Sequence, residues 1–165
     1  MLPGSRQRAR RRAPPVAVNT PIRTDRERDV LLDTGLLVAL YASNDGHHAT
    51  AERWLAGFSG RLHTVEAVLA EAAHLLPRHL CGAVAELAAQ GRVIVHPLGS
   101  DAYRRMTVLA RKYADQGPDW ADLALVCLAE TAGIHRIATL DVADFGVYRI
   151  HGRRRFDIVW PGAGA

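Results

Sequence analysis

The chain of 165 residues holds only two cysteines, with no Cys-x-x-Cys spacing. That excludes a disulfide scaffold and a thiolate zinc site. Cys81 and Cys127 fall in apolar, helix-like stretches and read as small core residues. No run of eighteen apolar residues occurs, so no membrane span is predicted. The N-terminus lacks an apolar segment and a small-residue cleavage site, so it is not a secretory signal. Together these absences predict a cytoplasmic protein without a membrane partner. Acids are missing from the first 24 residues, which carry six arginines and Pro3, Pro14, Pro15 and Pro21. The total charge is +4, so the rest of the chain is net −2 and the basicity belongs to the leader. Residues 1–28 are expected to form a disordered Arg/Pro-rich extension, either solvated or touching nucleic acid electrostatically. Val30 is a candidate for the true start. One folded domain is expected over 29–161, with 162–165 a short flexible end.

What is present is a core: 48% of the residues are hydrophobic. "DVLLD" (29–33), "RLHT" (61–64), "VIVHPL" (93–98) and "RIATLD" (136–141) read as short strands. "VYRI" (147–150) and "FDIVW" (156–160) read as late strands around the turn "HGRRR". Helices are predicted over 35–42, 47–58, 65–76, 79–90, 100–115 and 119–132. The helix over 47–58 is expected to bury Trp54 and Leu55 on one side. This alternation implies an α/β fold with a central, mostly parallel sheet of four to five strands and helices on both faces.

"PDWADLALVCLAE" (118–130) poses the central question. Nine of its thirteen residues are Ala, Val, Leu, Cys or Trp, yet Asp119 and Asp122 stand at its entrance. Sites in open parallel sheets lie beyond the carboxyl ends of the strands. Asp33 and Asp141 end two predicted strands. Glu66 and Glu71 follow the second strand, and Asp144 lies three residues beyond Asp141. Glu71 is surrounded in sequence by Ala, Val and Leu, with no Lys or Arg nearby. Carboxylates gathered there would repel one another unless a cation joined them. An all-oxygen set suits Mg²⁺ or Mn²⁺ rather than zinc. Plain alternatives stand beside this: Asp119 as a helix N-cap, Glu66 and Asp122 as partners of a helix dipole, Asp33 as a turn residue. The histidines show no metal pattern, and adjacent His47 and His48 read as surface residues. Arg153, Arg154 and Arg155 read as a solvated turn or a weak RNA-phosphate grip.

Four of these stretches resemble, in order, the motifs of the PIN-domain family, in particular the VapC-type toxins of toxin–antitoxin pairs. They are "LLDTGLLVALYASNDGHHATAERWL", "TVEAVLAEAAHLL", "PDWADLALVCLAE" and "IATLDVADFGVYRI". The resemblance spans about residues 30 to 160. It implies a PIN-like three-layer α/β/α fold and a Mg²⁺- or Mn²⁺-dependent endoribonuclease silenced by a small antitoxin. By position, Asp33, Glu71 and Asp122 match the first three acids of the family. The fourth lies between Asp141 and Asp144, with Asp141 ranked first because it ends a strand. Asp119 and Glu66 are secondary candidates. Thr139 matches a hydroxyl residue before the fourth acid, and Thr34 is expected to support the site. The resemblance also implies a homodimer and an antitoxin groove built on helix 47–58. Single-stranded RNA loops are the expected substrate, because their bases can be splayed out. A phosphatase of the Asp-x-Asp kind is disfavoured by Gly35. A catalytically silent module acting through protein partners is the remaining alternative.

Overall fold

The computed structural model describes residues 28–160. The expected extension (all but Arg28) and residues 161–165 lie outside the described residues. Five strands form one sheet: β1 (Asp29–Leu32), β2 (Arg61–Val65), β3 (Val93–His96), β4 (Arg136–Ala138) and β5 (Asp157–Trp160). All pair in parallel, in the order β3-β2-β1-β4-β5. Parallel strands need crossovers. These are supplied by α1 (Thr34–Tyr41), α2 (His48–Gly57), α3 (Glu66–Leu75), α4 (Cys81–Ala89), α5 (Ser100–Lys112), α6 (Trp120–Ala132) and α7 (Val142–Val147). The result is the expected three-layer α/β/α arrangement, with the sheet wholly parallel.

The apolar runs explain the layering. β1 is the middle strand and all four of its residues are buried. A strand covered on both faces is continuously apolar rather than alternating. α6 behaves in the same way, with every residue from Ala121 to Ala129 buried. It packs against α5, α3 and β2 at once, so it has no solvent face for polar residues to occupy. Gly133 ends α6 at φ 70°, and its N–H bonds to the Ala129 carbonyl. Only glycine takes that left-handed conformation without steric cost. Gly60 is required for another reason: a Cβ there would lie 1.8 Å from the Arg28 carbonyl oxygen.

One charged network interrupts the apolar sheet. Asp29 of β1 is fully buried and accepts bonds from Arg61 Nε (2.9 Å) and Nη2 (3.1 Å) on β2. His63 Nε2 lies 3.4 Å from Asp29 Oδ1, and His63 Nδ1 is 2.9 Å from His96 Nε2 on β3. Asp29, one residue ahead of the candidate start at Val30, is therefore an integral member of the sheet.

Several sequence expectations need correction. "VYRI" is not a strand. Val147 closes α7, and only Ile150 makes an isolated bridge, to Arg154. The reason is local: Arg149 Nη1 donates to the carbonyls of Gly146, Val147 and Tyr148 at 2.7–2.8 Å. The segment thus serves as the C-terminal cap of a helix. β4 stops at Ala138, so Asp141 is not at a strand end. Cys81 is exposed because it opens α4 on the outer side, whereas Cys127 is buried in α6. Leu55 is 38% exposed. In α2 the inward line runs through Ala51, half-buried Trp54 and, just beyond the helix, Phe58, whose ring stacks on Trp54 at 4.8 Å. Leu55 follows Trp54 by one position, which turns it about 100° around the helix from that ring.

Leu125, fully buried at mid-α6, tests how far the fold rests on that helix. Leu125→Ala should lower unfolding free energy by roughly 2–5 kcal/mol in a urea titration.

Candidate metal centre

The carboxyl edge of the sheet holds a cleft of about 270 Å³ lined by Asp33, Thr34, Gly35, Glu71, Asp119, Asp122, Leu140 and Asp141. Four chain segments supply the acids. Asp33 leaves β1 and caps α1, accepting from the Thr34 backbone N–H at 2.7 Å. Glu71 comes from mid-α3. Asp119 is the N-cap of α6, accepting from the Asp122 N–H at 2.7 Å. Asp122 is buried in the first turn of that helix. Asp141 is the N-cap residue of α7, and Asp144 sits in its first turn. Carboxylate oxygens of Asp122, Asp141 and Asp144 lie within 4.8 Å of one another.

Hydroxyl groups fix these acids. Thr139, fully buried after β4, donates to Asp33 Oδ2 at 2.6 Å and accepts from the Asp141 N–H at 2.8 Å. One threonine therefore sets the geometry of two acids. Thr34 donates to Glu71 Oε2 at 2.6 Å, tying α1 to α3. Tyr148 donates to Asp122 Oδ2 at 3.0 Å. Its ring is held edge-on by Tyr113 and Phe145.

The electrostatics follow from burial and like charge. Burial pushes Asp33 up to about 6, against the bonds from Thr139 and Thr34. Burial, then the charges of Asp119 and Asp33, push Asp122 up to about 8. The group that lowers Asp122 is the Tyr148 hydroxyl, not a cation. Asp141 is raised by burial and by Asp144. Such a set fits a hard divalent cation: the donors are oxygens, they converge, and their mutual repulsion is what a cation removes.

Asp33, Glu71, Asp122 and Asp141 line one cleft, where Thr34 bonds to Asp33 and Glu71, and Thr139 to Asp33 and Asp141. Asp144 joins them beside Asp122 and Asp141. Asp119 is both a cap and part of the cleft wall. Glu66 is exposed and lines a neighbouring hollow instead. Arg153, Arg154 and Arg155 do not border the cleft. Arg153 and Arg154 line a separate cavity with the C-terminal end of α6, a helix length of roughly 20 Å from Asp119. Sequence reasoning missed Tyr148. The alternation of "VYRI" pointed to a strand, and nothing local tied its hydroxyl to an acid 26 positions away.

The family model described as PIN domain matches residues 30–148. No curated protein matches the chain. Among solved structures, one similar chain is VapC20 of Mycobacterium tuberculosis, described as a sarcin-ricin loop cleaving toxin. It is 21% identical, with a TM-score of 0.65, over 68% of this chain and 90% of that one. Another is VapBC-1 of nontypeable Haemophilus influenzae, 19% identical with a TM-score of 0.53. That match covers 79% of this chain and 97% of the other. At these identities the likeness is one of fold.

The raised carboxyl of Asp122 has a measurable consequence. An acid whose pKa is higher in the fold than in the unfolded chain loses stability as pH rises towards the folded value. Asp33, at about 6, and the histidines, whose folded values are lowered from 6.5, have largely finished titrating by about pH 7. Between pH 7 and 8 the difference in slope between the chain and Asp122→Asn therefore belongs to Asp122. The Asp122 contribution to metal-free stability should fall across that window by about 1 kcal/mol. Asp122→Asn should flatten the slope and raise the melting temperature at pH 8 by a few degrees. Equal slopes for the two chains in thermal melts would refute the assignment.

Proposed function

This chain belongs to the PIN-domain family, and we propose that it is a metal-dependent endoribonuclease, the toxin of a VapBC-like toxin–antitoxin pair. The observation that carries this reading is the convergence of Asp33, Glu71, Asp122 and Asp141 in one cleft, with Asp33 and Asp122 held well above the usual carboxylate range. A protein that only binds partners gains nothing from buried, mutually repelling acids, and Asp122 with its neighbours costs stability when metal is absent.

Mg²⁺ or Mn²⁺ would be held by Asp33, Glu71, Asp122 and Asp141, with Asp144 and Asp119 at the rim. Bound there, it supplies positive charge to the phosphodiester and the leaving oxygen, and lowers the pKa of water. The chain's own groups do the positioning. Thr139 aims Asp33 and holds the backbone at Asp141; Thr34 aims Glu71; Tyr148 aims Asp122. A carboxylate of the cleft accepts the proton of the attacking water as general base. Arg153, Arg154 and Arg155 lie outside the acid field and suit phosphates of a longer RNA. One structurally similar protein is a sarcin-ricin loop cleaving toxin, which points to a structured RNA loop as the substrate class. The antitoxin contact and the homodimer are assigned to the outer side of α2, where Leu55 is exposed beside the half-buried Trp54. Among the described residues no helix is long and apolar enough to cross a membrane, in keeping with action on cytoplasmic RNA.

RNA cleavage by the purified full chain should stop on chelation and return with Mg²⁺ or Mn²⁺. Asp33→Asn should cut the rate at least about 100-fold while the circular dichroism spectrum is kept. Undiminished cleavage in excess EDTA would sink the metal assignment, and binding without cleavage would favour the silent module. For the fourth acid, calorimetric Mn²⁺ titration of Asp141→Asn and Asp144→Asn should show the larger loss at Asp141, about 10- to 100-fold. A larger loss at Asp144 would reverse that ranking.

A further inference from the structure

A second hollow opens beside the acidic cleft. It encloses about 290 Å³ between Glu66, Ala67 and Ala70 of α3, His96 at the end of β3, Tyr103 of α5 and Trp120 of α6. The two hollows are lined by neighbouring residues of the same helices. Ala70 precedes Glu71 on α3, and Asp119 precedes Trp120 at the start of α6. β3 lies two strands from β1, a separation of roughly 10 Å.

Trp120 is 59% exposed and Tyr103 is 47% exposed. Their ring centroids are 6.1 Å apart with the planes tilted by 31°. Neither ring fills the core, although the two residues that follow Trp120 on α6 are buried. His96 adds a polar group to the same wall. Asp29 Oδ1 lies 3.4 Å from His63 Nε2, and its charge favours the tautomer with that nitrogen protonated, in which His96 Nε2–H donates to His63 Nδ1. That leaves His96 Nδ1 as an acceptor, and among the described residues no protein group bonds to it.

The charge of the neighbouring cleft decides what suits this hollow. Five carboxylates line the cleft and Asp144 stands beside them, so phosphates approaching it are repelled. A strand crossing it needs a hold that does not depend on charge. Aromatic faces stack on any unpaired base, and a histidine acceptor meets the N–H groups of a base edge.

Resting on the nuclease reading, we propose that Trp120, backed by Tyr103, is a stacking platform for one unpaired nucleobase of an RNA strand whose backbone crosses the acidic cleft, with His96 accepting from the base edge. The platform positions substrate and takes no part in bond breaking.

The test uses the full chain and a mixed-sequence single-stranded RNA oligonucleotide. Binding is read by anisotropy in EDTA and cleavage is read in Mn²⁺. Trp120→Ala should weaken metal-free binding about tenfold or more, and raise KM more than it lowers kcat. Trp120→Phe should restore most of the loss, and both variants should melt with the parent chain because the ring is exposed. Unchanged binding and KM in Trp120→Ala, in a chain that cleaves, overturns the platform and leaves the nuclease reading standing. Binding without cleavage by the parent chain fails the nuclease reading, while the EDTA titration still decides the platform. If Trp120→Ala loses the antitoxin but keeps RNA, the patch is a protein contact and the proposal is overturned.

Discussion

The structure turns on the cost of holding like charges together out of water. Asp33 and Asp122 are almost wholly buried, with Glu71, Asp119 and Asp141 around the same cleft. Burial and mutual repulsion both favour the protonated forms, and the raised values of about 6 and 8 record it. A fold that only had to be stable would not keep them. The scaffold tolerates the set because each acid is tied to something rigid: a backbone N–H at Asp33, a threonine hydroxyl at Asp33 and Glu71, a tyrosine at Asp122.

That demand explains the unusual α6. A helix carrying Asp122 into a buried position must itself be anchored on every side. Its unbroken apolar run from Ala121 to Ala129 does this by packing on α5, α3 and the sheet. Its first turn then points backbone N–H groups at the cleft, where Asp119 takes one of them. At its far end Glu130 is clamped by Arg105 at 2.7–2.8 Å and also accepts from the His151 N–H at 2.7 Å. That clamp fixes α6 against α5 and the 150s turn.

The same edge of the sheet divides into two chemistries. Towards β1 and β4 it is anionic, built for a hard cation. Towards β3 it is mainly aromatic, with Glu66 at its edge and the His96 imidazole bonded to His63. Adjacent residues, Asp119 and Trp120, serve the two sides. An RNA strand offers groups for both, an anionic backbone and neutral base faces, so the division matches the polymer the site is proposed to cut.

Much of this was legible in the chain. Short apolar runs broken by Gly and Asp marked the strands, because buried parallel strands cannot alternate. Asp33 stood out at the end of an apolar strand, and Glu71 and Asp122 as carboxylates within apolar helical runs. Four motifs in order then identified the family. Other features were decided by the tertiary structure alone. Asp141 lines the cleft with Asp144 beside it because Asp141 caps α7, and no local pattern separates a helix of six residues from a turn. Tyr148 reaches Asp122 only because the chain doubles back across the sheet edge. Glu66 falls outside the acid cleft because it stands five residues before Glu71, more than a full turn away and on a different side of α3. Sequence periodicity reports which residues leave water. Which of them meet depends on how helices cross the sheet, and that is set by contacts between residues far apart in the chain.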